Sequence, residues 1–224
     1  ALNVENFPFA AIRQIKIAGK TVSAFRISYV GEQGWELHMR YEDGLAVWDA
    51  LRGIGVLAVG VETYANSRRL EKSLRLQNAD LHTQYNLLEA DLARPKVKEA
   101  DFRGKAKHVE YRERDHQPAM LCTLIMTDNV DASGVARYPV GRLPVMDPET
   151  GKTLIDELGR RSFTTSIAFG PSIGKNIALA YLPWDYCQEG RRLNVSYMDE
   201  IYPVEVYGIG YKPIYDPENL KPRS

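Results

Sequence analysis

The sequence predicts an α+β segment over residues 1–115, followed by an antiparallel β-barrel or sandwich over 116–224. Two observations carry this. The first part reads strand, strand, strand, helix, strand, helix, which is an α+β order rather than an open parallel one. From Ala119 onward the chain becomes a series of short strands divided by turn clusters such as Asp147-Pro148-Glu149-Thr150-Gly151. The texture changes at Arg114-Asp115-His116-Gln117-Pro118, which marks the expected boundary.

Ile12–Ile17 and Val22–Ile27 flank Ala18-Gly19-Lys20 and predict a β-hairpin. Ile27–Val30 and Trp35–Met39 predict two more strand runs around a tight turn, Gly31-Glu32-Gln33-Gly34. Strict alternation puts Trp35, Leu37 and Met39 on one face, and Glu36 and His38 on the other. Glu42-Asp43 opens a helix whose Val47, Trp48, Leu51 and Ile54 recur at helical spacing, with both tryptophans read as core. A short strand is expected at Val56–Val61, a second helix at Tyr64–Leu76, and a third at Gly104–Tyr111. The later strands are expected at 119–127, 142–146, 153–155, 162–168, 176–182, 192–197 and 202–207.

Lys+Arg and Asp+Glu balance at 29 each, so nothing in the charge favours nucleic acid or a membrane surface as partner. No apolar run reaches the roughly 18 residues of a membrane span. Cys122 and Cys187 lie far apart in sequence, which suits a reducing compartment and reads as two buried, inert thiols. The four histidines make no metal-ligand spacing, so no metal is expected. "GPSIGK" at 170–175 lacks the first glycine and the closing Ser/Thr of a phosphate loop, and is read as a hairpin turn. Arg68, Arg69 and Arg75 form a cationic stretch. It reads either as a solvated face with Glu71 as ion-pair partner or as a cluster meeting an anionic ligand tail. Spacing alone leaves Glu36 open between a solvent-facing carboxylate and a ligand contact.

"SYVGEQGWELH" (28–38), "ANSRRLEKSLRLQNADL" (65–81), "NLLEADL" (86–92) and "ADFRGKA" (100–106) occur in this order. Together they resemble the folate-binding module of the glycine-cleavage T-protein (aminomethyltransferase) family. The nearest likeness within it is the C-terminal half of dimethylglycine and sarcosine dehydrogenases. "TTSIAFGPSIGKNIALAYL" and "YPVEVYGIGYKPIYDPEN" are similar to the family's C-terminal domain, so the resemblance spans nearly the whole chain. The chain departs from the pattern at Ala65 and Asn66, where T-proteins carry arginine and aspartate. It departs again at Asp91, where glycine is usual, and over 128–161, which is longer and more polar.

The resemblance implies a tetrahydrofolate site in which Glu36 accepts hydrogen bonds from the pterin N–H groups. It also implies that Tyr29 lies near the reacting end, and Arg69 is the arginine taken as a cofactor-binding candidate, for the folate's glutamate tail. The implied reaction is one-carbon transfer from a small amine to give methylene-tetrahydrofolate. The proton-steering aspartate is expected upstream, outside this chain, and FAD on another chain or domain, since no G-x-G-x-x-G stretch occurs here. An O- or S-methyl demethylase and a non-catalytic folate-fold subunit remain as alternatives. The chain opens at Ala1 without methionine, and its resemblance enters the family module near its midpoint. The missing N-terminal half is therefore an expected partner, as a separate chain or a cleaved segment, in a bacterial cytoplasm or mitochondrial matrix.

Overall fold

The computed structural model describes residues 3–223. Its first sheet has three antiparallel strands in the order β1 (Ile12–Ile17), β2 (Lys20–Phe25) and β3 (Glu36–His38). The hairpin register pairs Ile15 with Val22 and Ile17 with Lys20. β2 and β3 are joined by residues 26–35 in an irregular loop, not by the tight turn that the glycines suggested. Three side-chain contacts draw this loop away from strand geometry. Tyr29 Oη donates to the Arg75 carbonyl at 2.8 Å, Glu32 pairs with Arg68 at 2.8 Å, and Tyr215 Oη donates to Glu32 at 2.8 Å. Gly31 sits at φ +75°, and a Cβ there would meet the Lys72 side chain at 2.3 Å, so the loop closes only with glycine at that position.

Helix α1 (Gly44–Gly53) buries Val47 but leaves Trp48 more than half exposed, so this tryptophan is not core. Residues 56–60 form no strand. The run expected there is an exposed apolar segment, with Leu57 81% and Val61 80% exposed. The next helix is shorter than its spacing suggested. A π-helical stretch, Glu62–Arg68, runs into one α-helical turn, α2 (Arg69–Glu71), and stops, with Ser73 at φ +54°. The cause is side-chain capture of the backbone. The Arg69 guanidinium donates to the Ala65 and Leu74 carbonyls, and Asp80 accepts the Leu76 N–H at 2.8 Å. Helix α3 (Lys105–Arg112) follows.

The remaining strands are β4 (Ala119–Met126), β5 (Val145–Met146), β6 (Thr164–Gly170), β7 (Lys175–Pro183), β8 (Arg192–Tyr197) and β9 (Glu200–Ile209). They form an antiparallel sheet in the order β5-β8-β9-β4-β7-β6. Its two ends meet: Pro144 bridges Phe163, Val145 N–H bonds the Ser162 carbonyl at 3.1 Å, and Thr164 N–H bonds the Leu143 carbonyl at 2.8 Å. This closes the sheet into a barrel. Residues 153 and 155 contribute only single bridges, not a strand. "GPSIGK" is the β6–β7 hairpin turn.

The barrel interior is filled by Cys122, Leu124, Ala178, Ala180, Leu182, Leu193, Val195, Val204 and Val206. Leu121, Ile177, Leu179 and Tyr181 point outward, yet they too are buried, against Leu70 and Ala90. Strands β4 and β7 are thus covered on both faces, which is why their sequences run apolar without alternation. The first part of the chain and the barrel share this second core.

Candidate functional site

Strand β3 is an edge strand, and Glu36 lies opposite Phe25 on β2. Leu37 pairs with the fully buried Ala24, so Glu36 and His38 take the other face, with Glu36 Oε2 3.5 Å from His38 Nε2. The Phe25 ring packs 4.8 Å from the His38 ring and holds that face in register. The Glu36 side chain is 43% exposed. Burial, and next the charge of Glu36, raise the Tyr64 hydroxyl above its ordinary pKa. The Tyr64 ring in turn lies 5.6 Å from that of Tyr29, tilted by 46°. The fold therefore brings the Tyr64 and Tyr29 rings into contact, with the Tyr64 hydroxyl within reach of the Glu36 charge, and sequence reasoning missed Tyr64. It sat at the start of an expected helix, and no local spacing ties it to a strand 28 positions earlier.

Tyr29 is half-buried, and burial pushes its hydroxyl pKa up. Its one proton is committed to the Arg75 carbonyl. What Tyr29 can offer a ligand is its ring face and an acceptor lone pair, not a free donor.

Arg69 belongs elsewhere. Its side chain is wholly buried and pairs with the equally buried Asp80 at 2.5 Å. Further donors go to Ala65, Leu74 and Ser166. A guanidinium so enclosed cannot meet a ligand tail, and Arg69 leaves the set of candidate binding residues. Arg68 and Arg75 are not a solvated face either. Arg68 bridges Glu32, Glu71 and Ser172 and lies over the Tyr215 ring at 4.9 Å. Arg75 donates to the Ala90 and Ser73 carbonyls. The cationic stretch is the hub that ties the β2–β3 loop, the barrel and the C-terminal tail together. Lys72 completes it by donating to the Tyr215 and Asp216 carbonyls at 3.0 and 2.6 Å.

Asp91 keeps the turn that a glycine would make. Its φ is +53°, and its Oδ2 accepts the Tyr211 N–H at 2.7 Å. The carboxylate lies against Gly210, where a Cβ would approach it to 2.4 Å.

Clefts of about 790, 710 and 700 Å3 open beside α1, along the 85–112 segment and beside the β1–β2 turn. None is lined by Glu36, Tyr29 or Tyr64. Glu36 and its neighbours form an open face, one wall of a site rather than an enclosed pocket. Among the described residues no group of three His, Cys, Asp or Glu side chains could hold a metal ion, and no helix is long and apolar enough to cross a membrane.

Comparison with known proteins gives the fold its relatives. Residues 1–97 match the family model of the GCVT N-terminal domain. Residues 143–216 match that of the glycine cleavage T-protein C-terminal barrel domain. The chain is 32% identical over 211 residues to mitochondrial dimethylglycine dehydrogenase of Homo sapiens, covering 92% of this chain and 22% of that protein. It is 31% identical over 211 residues to an aminomethyltransferase of Exiguobacterium sibiricum, covering 93% of this chain and 50% of the other. The crystal structure of the glycine cleavage system aminomethyltransferase T from Bartonella henselae shares the fold, with a TM-score of 0.76 at 20% identity over 95% of this chain and 54% of that one. The chain thus spans about a fifth of the dehydrogenase and half of the aminomethyltransferase. With both of the family's domains matched in order along most of its length, it belongs to the glycine cleavage T-protein family.

Proposed function

We propose that the chain serves tetrahydrofolate-dependent one-carbon transfer as the C-terminal part of an amine-demethylating dehydrogenase or oxidase. The substrate would be dimethylglycine- or sarcosine-like and the product methylene-tetrahydrofolate. One observation carries the reading: about nine-tenths of the chain matches both an aminomethyltransferase and a dimethylglycine dehydrogenase. In this reading any FAD belongs to another chain or domain.

The residues on the open face fit a folate. Glu36 presents a half-exposed carboxylate on the edge strand, and an ionised acceptor suits adjacent N–H donors on an aromatic ring edge better than a neutral one. Tetrahydrofolate, when bound, supplies the nitrogen nucleophile for the one-carbon unit. Glu36 orients the ring edge, while Tyr64 and Tyr29 wall the site and exclude water on that side. Holding both reactants in one pocket supplies most of the rate advantage by proximity.

The site needs its other walls. Ile54, Leu57, Val59 and Val61 are exposed, as are Leu45 and Trp48 on α1, and β1 and β3 are both unpaired edges among the described residues. Contiguous apolar surface and open edges of this kind suit a large, apolar contact resembling a divided core. The occupant proposed is the family module's N-terminal half, as a separate chain or a segment of the same precursor, which also supplies the proton-steering aspartate. The test is to purify the chain with that half and supply tetrahydrofolate and a methylated amine. Folate-dependent formation of methylene-tetrahydrofolate is expected. An assembly that binds no tetrahydrofolate would overturn the proposal, and one making methyl-tetrahydrofolate would replace the amine with an O- or S-methyl donor.

A further inference from the structure

Cys122 and Cys187 are 65 positions apart in sequence, yet their sulfur atoms lie 3.8 Å apart in the barrel. Cys122 sits on β4 with no exposure, its side chain in the barrel core. Cys187 follows the short helical turn Trp184–Tyr186 that caps β7, and it is only partly buried. Cys187 is thus the more exposed residue of the two, and Cys122 lies behind it in the core. A disulfide needs a sulfur separation of about 2.05 Å, so closure asks for a shift of under about 2 Å. That is within reach of a side-chain rotation on the Cys187 loop. The two thiols are distant in sequence only, and Cys187 is not fully buried as the sequence suggested.

We propose that Cys122 and Cys187 are a redox-reactive dithiol, a modification site that takes a hydroperoxide as oxidant and closes to a disulfide across the barrel mouth. Cys187 is the attacking thiol and Cys122 the resolving one. The Cys187 thiolate attacks the peroxide oxygen, the O–O bond breaks, and an alcohol or water leaves, giving a sulfenic acid on Cys187. The Cys122 sulfur then attacks the Cys187 sulfur and expels the hydroxyl as water. In sum, two thiols and one ROOH give one disulfide, ROH and H2O, with two electrons passed from the sulfurs to the peroxide. The local chemistry supports this division of labour. Cys122 Sγ–H donates to Cys187 Sγ, which lowers the Cys187 pKa and, with burial, raises that of Cys122.

A disulfide here would staple the segment that follows β7 to the middle of β4, the neighbouring strand of the sheet. Constraining a loop of this length in the unfolded chain is stabilising, so the oxidised barrel should melt several degrees higher, on the order of 5 °C.

The test uses the protein in its native assembly, treated with hydrogen peroxide, alkylated and digested with trypsin. The expected product is a single cross-linked species joining peptides 115–137 and 176–191, lighter than their sum by about 2 Da and released by dithiothreitol. In Cys122→Ser, Cys187 should be trapped as a sulfenic acid by dimedone. In Cys187→Ser, Cys122 should resist the same dose. Should both thiols of the wild-type protein still be alkylated after peroxide has oxidised exposed methionines, the proposal fails. Equal oxidation of Cys122 with and without Cys187 would also overturn it. Because the wild-type digest decides by itself, poor folding of either variant leaves the proposal decidable.

Discussion

Arg69 Nη1 and Asp80 Oδ2 are 2.5 Å apart, and neither side chain has any exposed surface. Asp80 also accepts bonds from the Leu76 N–H, the Thr165 hydroxyl and the Ser166 hydroxyl. The pair therefore ends the 62–71 helical stretch and fastens it to β6 in one arrangement. Removing one partner strands the other as a buried, unpaired charge, which costs about 3–5 kcal/mol. Arg69→Ala should accordingly lower the stability of the assembled protein by that much in chemical denaturation. Any remaining folate binding should fall equally for mono- and polyglutamylated forms. A loss confined to the polyglutamate would restore Arg69 to the ligand.

Asp91 separates two effects at one position. Both Asp91→Gly and Asp91→Ala remove the acceptor for the Tyr211 N–H, but only Ala must hold φ at +53° with a Cβ. Ala should therefore be less stable than Gly by about 1 kcal/mol, measured by thermal or denaturant unfolding. Equal stabilities would mean that the backbone relaxes out of the left-handed region.

His82 sets a pH dependence. Its Nε2 is buried with no hydrogen-bond partner among the described residues, and burial, followed by the charge of Arg142, lowers its pKa below the ordinary 6.5. The folded state thus resists a proton that the unfolded chain accepts. Stability from this site is complete above about pH 6.5 and is lost as the pH falls from there through the lowered folded-state value. Replacing His82 by Gln should flatten the stability curve below about pH 6.5. An unchanged slope would place the acid sensitivity on the carboxylates instead.

The apolar run after α1 should behave as a contact surface. Leu57→Glu with Val61→Glu, both at highly exposed positions, should leave the barrel's melting unchanged and make the isolated chain more soluble. The same pair should weaken association with the N-terminal half by tenfold or more, on the order of 1.4 kcal/mol or above, read by sedimentation or titration. Unaltered association would sink the divided-core view.

The barrel was legible because its strands announce themselves by turns at short intervals and by β-branched runs. The closure at Pro144 and Phe163 was not, since a single bridge and two flanking hydrogen bonds leave no periodic trace. The 56–61 segment shows the limit of apolarity as a signal: a Val-rich run says that something covers it, not that a strand pairs with it. The helix at 64–76 ended early because Arg69 and Asp80 seize backbone groups, a contact set by Ser166 nearly a hundred residues away. Glu36 was placed on its face by alternation alone, whereas Tyr64 against Tyr29 and Cys187 behind Cys122 needed the fold to be seen. Arg69 misled for a physical reason. An arginine in a charged stretch looks solvated or ligand-bound until its buried carboxylate is known.

The central claim rests on Glu36, and calorimetric titration of tetrahydrofolate into the assembled protein tests it most directly. Glu36→Gln keeps the shape of the side chain and removes its charge, so about 1.5–3 kcal/mol of charge-assisted hydrogen bonding should be lost. The predicted result is a dissociation constant raised roughly 10- to 100-fold. A dissociation constant identical to that of the wild type would contradict the assignment and leave Glu36 as a solvent-facing partner of His38.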